Sequence, residues 1–391
     1  MPRMPPQVKP AALLAALVIA AAAAPASAAV DPARRPAGPG DDCLACHAGL
    51  VTGKKVVHPP VRNGLCLGCH DPASDTEHVF AWKAEGKSMC RQCHAARDMQ
   101  KVLHNPVTEG LCLYCHDPHA SDNHVRLRLT VFDTCTQCHP SKRIQNATSA
   151  TRHGALDPAR NPLVCVACHD PHQSDHEKRL KQWPPMNVCL TCHDKEVEAW
   201  DKRQLLDMKG WLDQHQDNEL RHGPVREGMC NRCHEPHGTN EFRMLRGSFP
   251  PEFYWPYKKG ETYGLCFGCH DRRLLETQKV EAPPAAARQG KIDWAKLAEG
   301  DRLVRAGTTG FRNGEENLHF KHTNKPDKGR TCRDCHDFHA SPNPKHVRTS
   351  TKFGNWEFKL NYQKTETGGS CWPGCHVTRR YDRVIKQENP R

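Results

Sequence analysis

The sequence is poor in the material of an ordinary protein interior. Aromatic residues are 6% of its 391 positions, and the 37% counted as hydrophobic includes 22 cysteines. A packed aliphatic core of normal size is hard to build from such a chain. Beyond residue 24 no run is apolar enough to cross a bilayer as a helix. The formal charge is +12, but Lys and Arg form no dense block. That spread argues against a nucleic-acid partner. Nucleotide-binding loops and catalytic-triad motifs are also missing. Methionine is scarce, eight in all, with Met1 and Met4 at the extreme N-terminus. What the chain has in plenty is cysteine and histidine, 22 and 26. Numbers so far above background imply a bound group.

The N-terminus reads as an export signal. Arg3 and Lys9 give a short positive region, Ala11 to Ala24 is apolar, and Ala26-Ser27-Ala28 is a small-x-small cleavage site. Residues 1–28 are therefore expected to be removed after Sec export. The apolar stretch is short for a membrane anchor, and the first cysteine is Cys43, so none stands at the cleavage point to carry a lipid. The mature chain is expected in the periplasm, associated with the outer membrane, or outside the cell.

The cysteines follow one rule: each belongs to a pair, and each pair is followed at once by histidine. In order these are Cys43/Cys46-His47, Cys66/Cys69-His70, Cys90/Cys93-His94, Cys112/Cys115-His116, Cys135/Cys138-His139 and Cys165/Cys168-His169. Then come Cys189/Cys192-His193, Cys230/Cys233-His234, Cys266/Cys269-His270, Cys332/Cys335-His336 and Cys371/Cys375-His376. Ten read CxxCH; the last, CWPGCH, has one more residue. CxxCH is the attachment signal for c-type haem. Two thiols add across the two vinyl groups of one haem. On a helical turn positions i, i+3 and i+4 share a face, so the histidine lands under the porphyrin and reaches the iron. In CWPGCH, Pro373-Gly374 disfavours regular helix, and the attachment there should have a looser backbone with the same chemistry. Zinc sites also use CxxC pairs, but need no histidine after each. A disulfide framework suits an exported chain, but leaves the histidines without a reason. The expected cofactor is eleven covalently bound haems c.

Eleven histidines are thus proximal ligands, and fifteen remain. Their placement is patterned. Even-numbered motifs carry one about eight to twelve residues upstream: His58, His104, His153, His222 and His322. Four even motifs carry another three residues beyond the proximal ligand, at His119, His172, His237 and His339. Odd motifs have neither. A downstream histidine cannot reach round its own macrocycle, so it should ligate a nearby haem. The second motif puts Ala73 where the others have histidine, and His78 is the substitute expected there. With His346, these make eleven candidate distal ligands. His124, His176, His215 and His319 are left as surface or propionate-bonding residues. The repeat reads as an odd motif followed by an even one, five times, with the eleventh appended.

The first seven motifs start 22 to 30 residues apart, and later gaps widen to 41, 36, 66 and 39. A division is expected near residue 194: a dense array over 29–193 with haems 1–7, and a region with longer inserts over 194–391 with haems 8–11. Asp194 to Leu212 reads as an amphipathic helix, Glu281 to Gly290 as a linker, and Ile292 to Val304 as a short helix. The expected fold is mainly short α-helices and irregular coil around a stacked haem array, with little or no β-sheet. Eleven haems add 22 propionate charges and, when ferric, eleven positive charges, so the loaded protein is near about +1 oxidised and about −10 reduced.

The run of a CxxCH followed by H-x-PV-x-x-G-x-C-x-x-CH-D-P-H resembles the doubled-CxxCH multihaem cytochromes c over roughly residues 43 to 376. Within them the chain is similar to the periplasmic multihaem subunit of outer-membrane porin–cytochrome conduits. The resemblance implies bis-histidine irons, closely spaced haems and electron transfer between redox partner proteins, with an outer-membrane porin and a surface cytochrome among the candidates. A secreted, homo-oligomeric or polymeric cytochrome is the other form it allows. The competing function is a multihaem reductase or oxidase of a small nitrogen or sulfur compound, which needs one open haem. All eleven motifs keep histidine and the distal supply exceeds demand, which favours an electron-transfer protein over an enzyme.

Overall fold

The computed structural model describes residues 41–139, 153–199, 204–216, 220–280 and 309–390. The export signal, the linker and the helix expected over Ile292 to Val304 lie outside these. Among the described residues the longest α-helices, such as Gly86–Arg91, Val131–Thr136, Met208–Asp213 and Leu318–Thr323, have six residues. Sheets have two or three strands. The rest is turns and coil, as expected. No described helix is long and apolar enough to cross a membrane.

Two compact units are distinguished: Met1–Thr52 with Pro59–Glu85, and Gly53–His58 with Gly86–Arg391. The first holds the helix Cys43–His47 and a small antiparallel pair, His70–Pro72 with Phe80–Trp82. The second is held by local repeats. The conventional core is small. Phe249, Tyr263 and Leu275 are buried together, with Tyr257, Phe267 and Cys266 packed against them. This cluster gathers around the ninth motif, with Phe249, Tyr257 and Tyr263 before Cys266 and Leu275 just after His270.

The expected long helix over Asp194 to Leu212 is not formed. Val197–Glu198 pairs antiparallel with Gln204–Leu205, and a helix begins only at Met208. Asp207 explains that start: its carboxylate accepts from Gly210 N at 2.7 Å, an N-cap that fixes the boundary.

One unit recurs four times and carries the site. Each even motif from the fourth onward folds back eleven residues later, bridging His116 to Leu127, His169 to Leu180, His234 to Leu245 and His336 to Val347. The turn is closed by a residue in the left-handed region: Val125, Lys178, Arg243 and Lys345 have φ of 48°, 56°, 52° and 59°. The hydroxyls of Ser121, Ser174 and Ser341 donate to the carbonyls of Leu127, Leu180 and Val347 in three of the copies. Copies are then stitched across. Val102–Leu103 pairs with Gln173–Ser174, and Val56–Val57 with Ala120–Ser121.

Candidate functional site

Each CxxCH motif is a tight helical turn. The histidine N–H donates to the carbonyl of the first cysteine, for example His116 to Cys112 at 3.0 Å and His270 to Cys266 at 2.8 Å. Both cysteines and the histidine are thereby turned to one side. The eleventh motif differs. Cys371 ends the strand Gly368–Cys371, and the loop turns at Gly374 with φ 74°. A Cβ there would lie 2.8 Å from Phe358, so only glycine fits.

The histidines come in facing pairs. In the first unit His47 faces His78, ring centroids 5.8 Å apart and 13° from parallel. In the second, His58 faces His94 at 5.9 Å, His104 faces His139 at 6.0 Å and His116 faces His172 at 6.0 Å. His153 faces His193 at 6.1 Å, His169 faces His237 at 6.2 Å and His222 faces His270 at 6.1 Å. His234 faces His339 and His319 faces His336, both at 6.3 Å. No pair is tilted by more than 22°. Two imidazoles on opposite faces of one iron have this spacing: two metal–nitrogen bonds of about 2 Å plus half a ring at each end give about 6 Å. The residues present therefore fit a six-coordinate haem iron. Among the described residues no three His, Cys, Asp or Glu gather as a metal site built wholly of side chains would need.

The pairs obey a rule. The upstream histidine of an even motif faces the next odd motif: His58 with His94, His104 with His139, His153 with His193, His222 with His270. The downstream histidine of an even motif faces the preceding even motif: His172 with His116, His237 with His169, His339 with His234. His322 and His376 fit the first series, being near enough that a charge on His376 adds to the burial that lowers the His322 pKa. His119 occupies the position of His172 and His339 in its own repeat. Its carbonyl accepts from His58 N at 2.8 Å, as theirs do from His104 and His222.

Three placements differ from the sequence reading. His319, expected to be a spare, faces His336. It lies on the helix Leu318–Thr323 with His322, and Asn317, which is fully buried, caps that helix by accepting from His319 N at 2.9 Å. A capped turn with histidines three apart was the available signal. His346, expected as a distal ligand, faces no motif histidine across a gap of that kind. It meets His222 edge-on and its Nδ1 donates to Leu220 O at 3.2 Å. It occupies the module position of Arg126 and Arg179, which is set by the turn. Likewise His78, expected to replace the histidine missing at Ala73, faces the first motif. Of the remaining three, His215 stacks on Trp211 at 4.3 Å, His176 stacks on Trp183 at 6.4 Å, and His124 faces no ring.

Backbone carbonyls fix the rings. His58 Nδ1 donates to Pro118 O at 2.9 Å and His104 Nδ1 to Pro171 O at 2.8 Å. The motif histidines use the turn nine residues on: His116 to Val125 O, His169 to Lys178 O, His234 to Arg243 O and His336 to Lys345 O, at 2.8 to 3.2 Å. A carbonyl only accepts, so each Nδ1 carries the proton and Nε2 keeps its lone pair for a metal. Burial holds the rings neutral. The pKa falls to about 4 at His153 and His339 and about 3 at His319, chiefly through desolvation.

The sulfurs follow the sequence order. The Cys135 thiol hydrogen-bonds Cys165, which raises the first and lowers the second to about 7. Cys189 meets Cys230 in the same way, and Cys266 meets Cys332 with the directions reversed, Cys266 lowered and Cys332 raised; in the other unit Cys43 meets Cys66. The second cysteines provide the alternate links. Beyond burial, Cys115 is raised by Cys138, Cys168 by Cys192, Cys233 by Cys266 and Cys269, and Cys335 by Cys371 and Cys375 among others. From the fourth motif to the eleventh each motif thus has a cysteine near enough to one of the next to shift its titration, and three of the seven links are thiol hydrogen bonds.

In the first three motifs Cys46 and Cys93 are exposed and Cys69 is half-buried. The Cys69 carbonyl accepts from Lys83 N at 3.0 Å, and the Cys93 N–H closes its motif turn by donating to Cys90 O at 3.3 Å.

Comparison with known proteins agrees with this chemistry. A family model, the doubled CXXCH motif, matches residues 58–99, 104–144, 157–198 and 222–274. The chain is 27% identical over 221 residues to the multiheme cytochrome MtrA of Shewanella baltica (strain OS185), covering 52% of each chain. It is 22% identical over 269 residues to the high-molecular-weight cytochrome c of Nitratidesulfovibrio vulgaris, covering 60% of this chain and 45% of that one. The chain belongs to the multihaem c-type cytochromes. Its cofactor is covalently bound haem c. The cytochrome spans about half the length of these curated relatives. The matched segments also correct the repeat. Each contains an even motif followed by an odd one, so the first motif stands alone and the doubled unit begins at the second. The facing rings of His58 with His94 and His104 with His139 have the same phase.

Proposed function

We propose that this cytochrome carries eleven haems, one on each motif, and conducts electrons between redox partners with no substrate of its own. The observation that carries this reading is the nine motif histidines that each face a second imidazole, together with the nearness of cysteines in successive motifs. For all 22 cysteines, Cys46, Cys69 and Cys93 included, attachment is supported by the motif spacing. Haem c, when bound, supplies a one-electron couple at each site. The chain's residues do the rest. The cysteine pairs fix one edge of each group, and the Nδ1 hydrogen bonds aim the imidazoles. Holding both axial positions leaves no coordination site for a substrate. We assign as distal ligands His78, His58, His172, His104, His237, His153, His339, His222 and His319 by ring geometry, His322 by its nearness to His376, and His119 by its place in the repeat.

Methionine ligation raises potential, and histidine is the ligand throughout, so the potentials should be mostly negative. The dense array over 29–193 and the region 194–391 act as one path in sequence order. Similarity to the multiheme cytochrome MtrA supports a periplasmic or outer-membrane-associated location, with an outer-membrane porin and a surface cytochrome as partners. The Ala26-Ser27-Ala28 site supports export with cleavage. The test is to reduce the purified protein with dithionite and offer ferric chelate, nitrite, hydroxylamine and tetrathionate in turn. Rapid reoxidation by ferric chelate alone is expected. Saturable turnover of nitrite, hydroxylamine or tetrathionate, blocked by cyanide, would overturn the reading in favour of a reductase.

A further inference from the structure

The four-fold unit places one side chain where two haem sites meet. Asp117 N donates to Arg126 O at 2.8 Å, and Val125 O, one residue earlier, holds His116. Pro118 O, one residue after Asp117, holds His58. Arg126 therefore stands between the His58–His94 pair and the His116–His172 pair. The next copy repeats the arrangement: Asp170 N donates to Arg179 O at 2.8 Å, Lys178 O holds His169 and Pro171 O holds His104. Both arginines adopt the left-handed backbone, φ 56° and 55°.

In both copies the arginine Nε is buried and makes no hydrogen bond. A buried guanidinium N–H without an acceptor is costly. The nearest carboxylates are already engaged. Asp117 accepts from His119 N and Ala120 N, and Asp170 from His172 N and Gln173 N. Burial accordingly lowers the pKa of both arginines, with only those aspartates opposing. The same unmet donor in two independent copies, beside two imidazole pairs each, calls for an anion from outside the polypeptide.

We propose that Arg126 and Arg179 are haem-propionate clamps, each giving its Nε–H to a propionate of a haem held by one of the two flanking histidine pairs and placing a fixed cation between them. A fixed positive charge favours the reduced, more negative form, so these sites raise the potential of the adjacent haems. The equivalent positions are Met244 and His346, which carry no permanent charge. At this one position the modules differ in charge, with a cation in the fourth and sixth and none in the eighth and tenth, where Arg243 and Lys345 stand one residue earlier. The inference rests on the ligand assignment above.

A crystal structure of the loaded protein tests it. Arg126 Nε and Arg179 Nε are expected within hydrogen-bond distance of a propionate oxygen, and the structure identifies whether that haem is bound by His94 or His116, or by His139 or His169. Water or backbone as the only partner of both overturns the proposal, even with all ligand pairs as assigned; different ligand pairs would instead defeat the assignment. Spectropotentiometry gives the second readout. Arg126→Met, which installs the residue native at position 244, should lower one or two one-electron components about tenfold in reduced-to-oxidised ratio, about 59 mV. Met244→Arg should raise components elsewhere. Lys352→Met, at an exposed site on the strand Ser350–Phe353, should move none. Unchanged potentials in Met244→Arg, with eleven haems present, would count against the clamp even if Arg126→Met failed to mature.

Discussion

At the scale of single residues, function is a matter of which nitrogen faces which. The motif histidines were legible because CxxCH has one chemical meaning, but the second ligand of each pair was not fully so. His346 stands ten residues after His336, where the sequence offers no sign that a turn fixes it. His319 looked idle until the Asn317 cap turned it toward His336. The assignment predicts that His319→Ala opens one iron, so that the reduced variant binds one carbon monoxide per protein while His346→Ala binds none. Equal binding by both, measured spectrophotometrically, would contradict it. Asp334 offers a pH test at the same scale. Burial pushes its carboxyl up to about 6, against the hydrogen bond that it accepts from Thr331 N at 2.8 Å. A carboxyl raised above its unfolded value stabilises the fold fully below pH about 4, and that contribution is lost as pH rises through about 6. Asp334→Asn should flatten the thermal midpoint of the loaded protein over that window. An unchanged slope would show that Asp334 is not responsible.

Between residues and molecule lies the repeated turn. Its cysteines and histidines could be counted in the sequence, but its phase could not. Odd-then-even and even-then-odd are the same string read from different starts, and only the cross-pairing of His58 with His94 tells them apart. The hairpin at Val197–Glu198 was missed for a related reason. Three-residue periodicity over apolar positions does not distinguish a helix from short strands joined by a turn, and the deciding signal was the Asp207 cap. The turn itself depends on buried hydroxyls. Ser341 is 1% exposed and donates to Val347 O. Ser341→Ala should cost about 0.5–1.5 kcal/mol, the net worth of a hydrogen bond, because Asn343 Nδ2 still donates to Val347 O at 3.0 Å. Urea titration of the loaded protein checks this, and a variant as stable as the parent would show that the turn is held elsewhere.

For the whole molecule, the scarcity of aliphatic and aromatic side chains is what makes the design legible. With about 33 residues for each motif once the signal is removed, ligands must be borrowed from neighbouring repeats, and borrowing ties each site to the next. The small apolar cluster around Tyr263 gathers at the ninth motif, which has two of the wider gaps on either side of it. The widening gaps were visible in the sequence. The nearness of cysteines in successive motifs from Cys115 to Cys375 was not, because it depends on how successive turns face. The central claim is that every site is closed by two imidazoles. EPR spin quantitation of the oxidised, fully loaded protein tests it most directly: the account predicts eleven low-spin ferric irons and no high-spin component, and a high-spin signal amounting to a whole iron would contradict it.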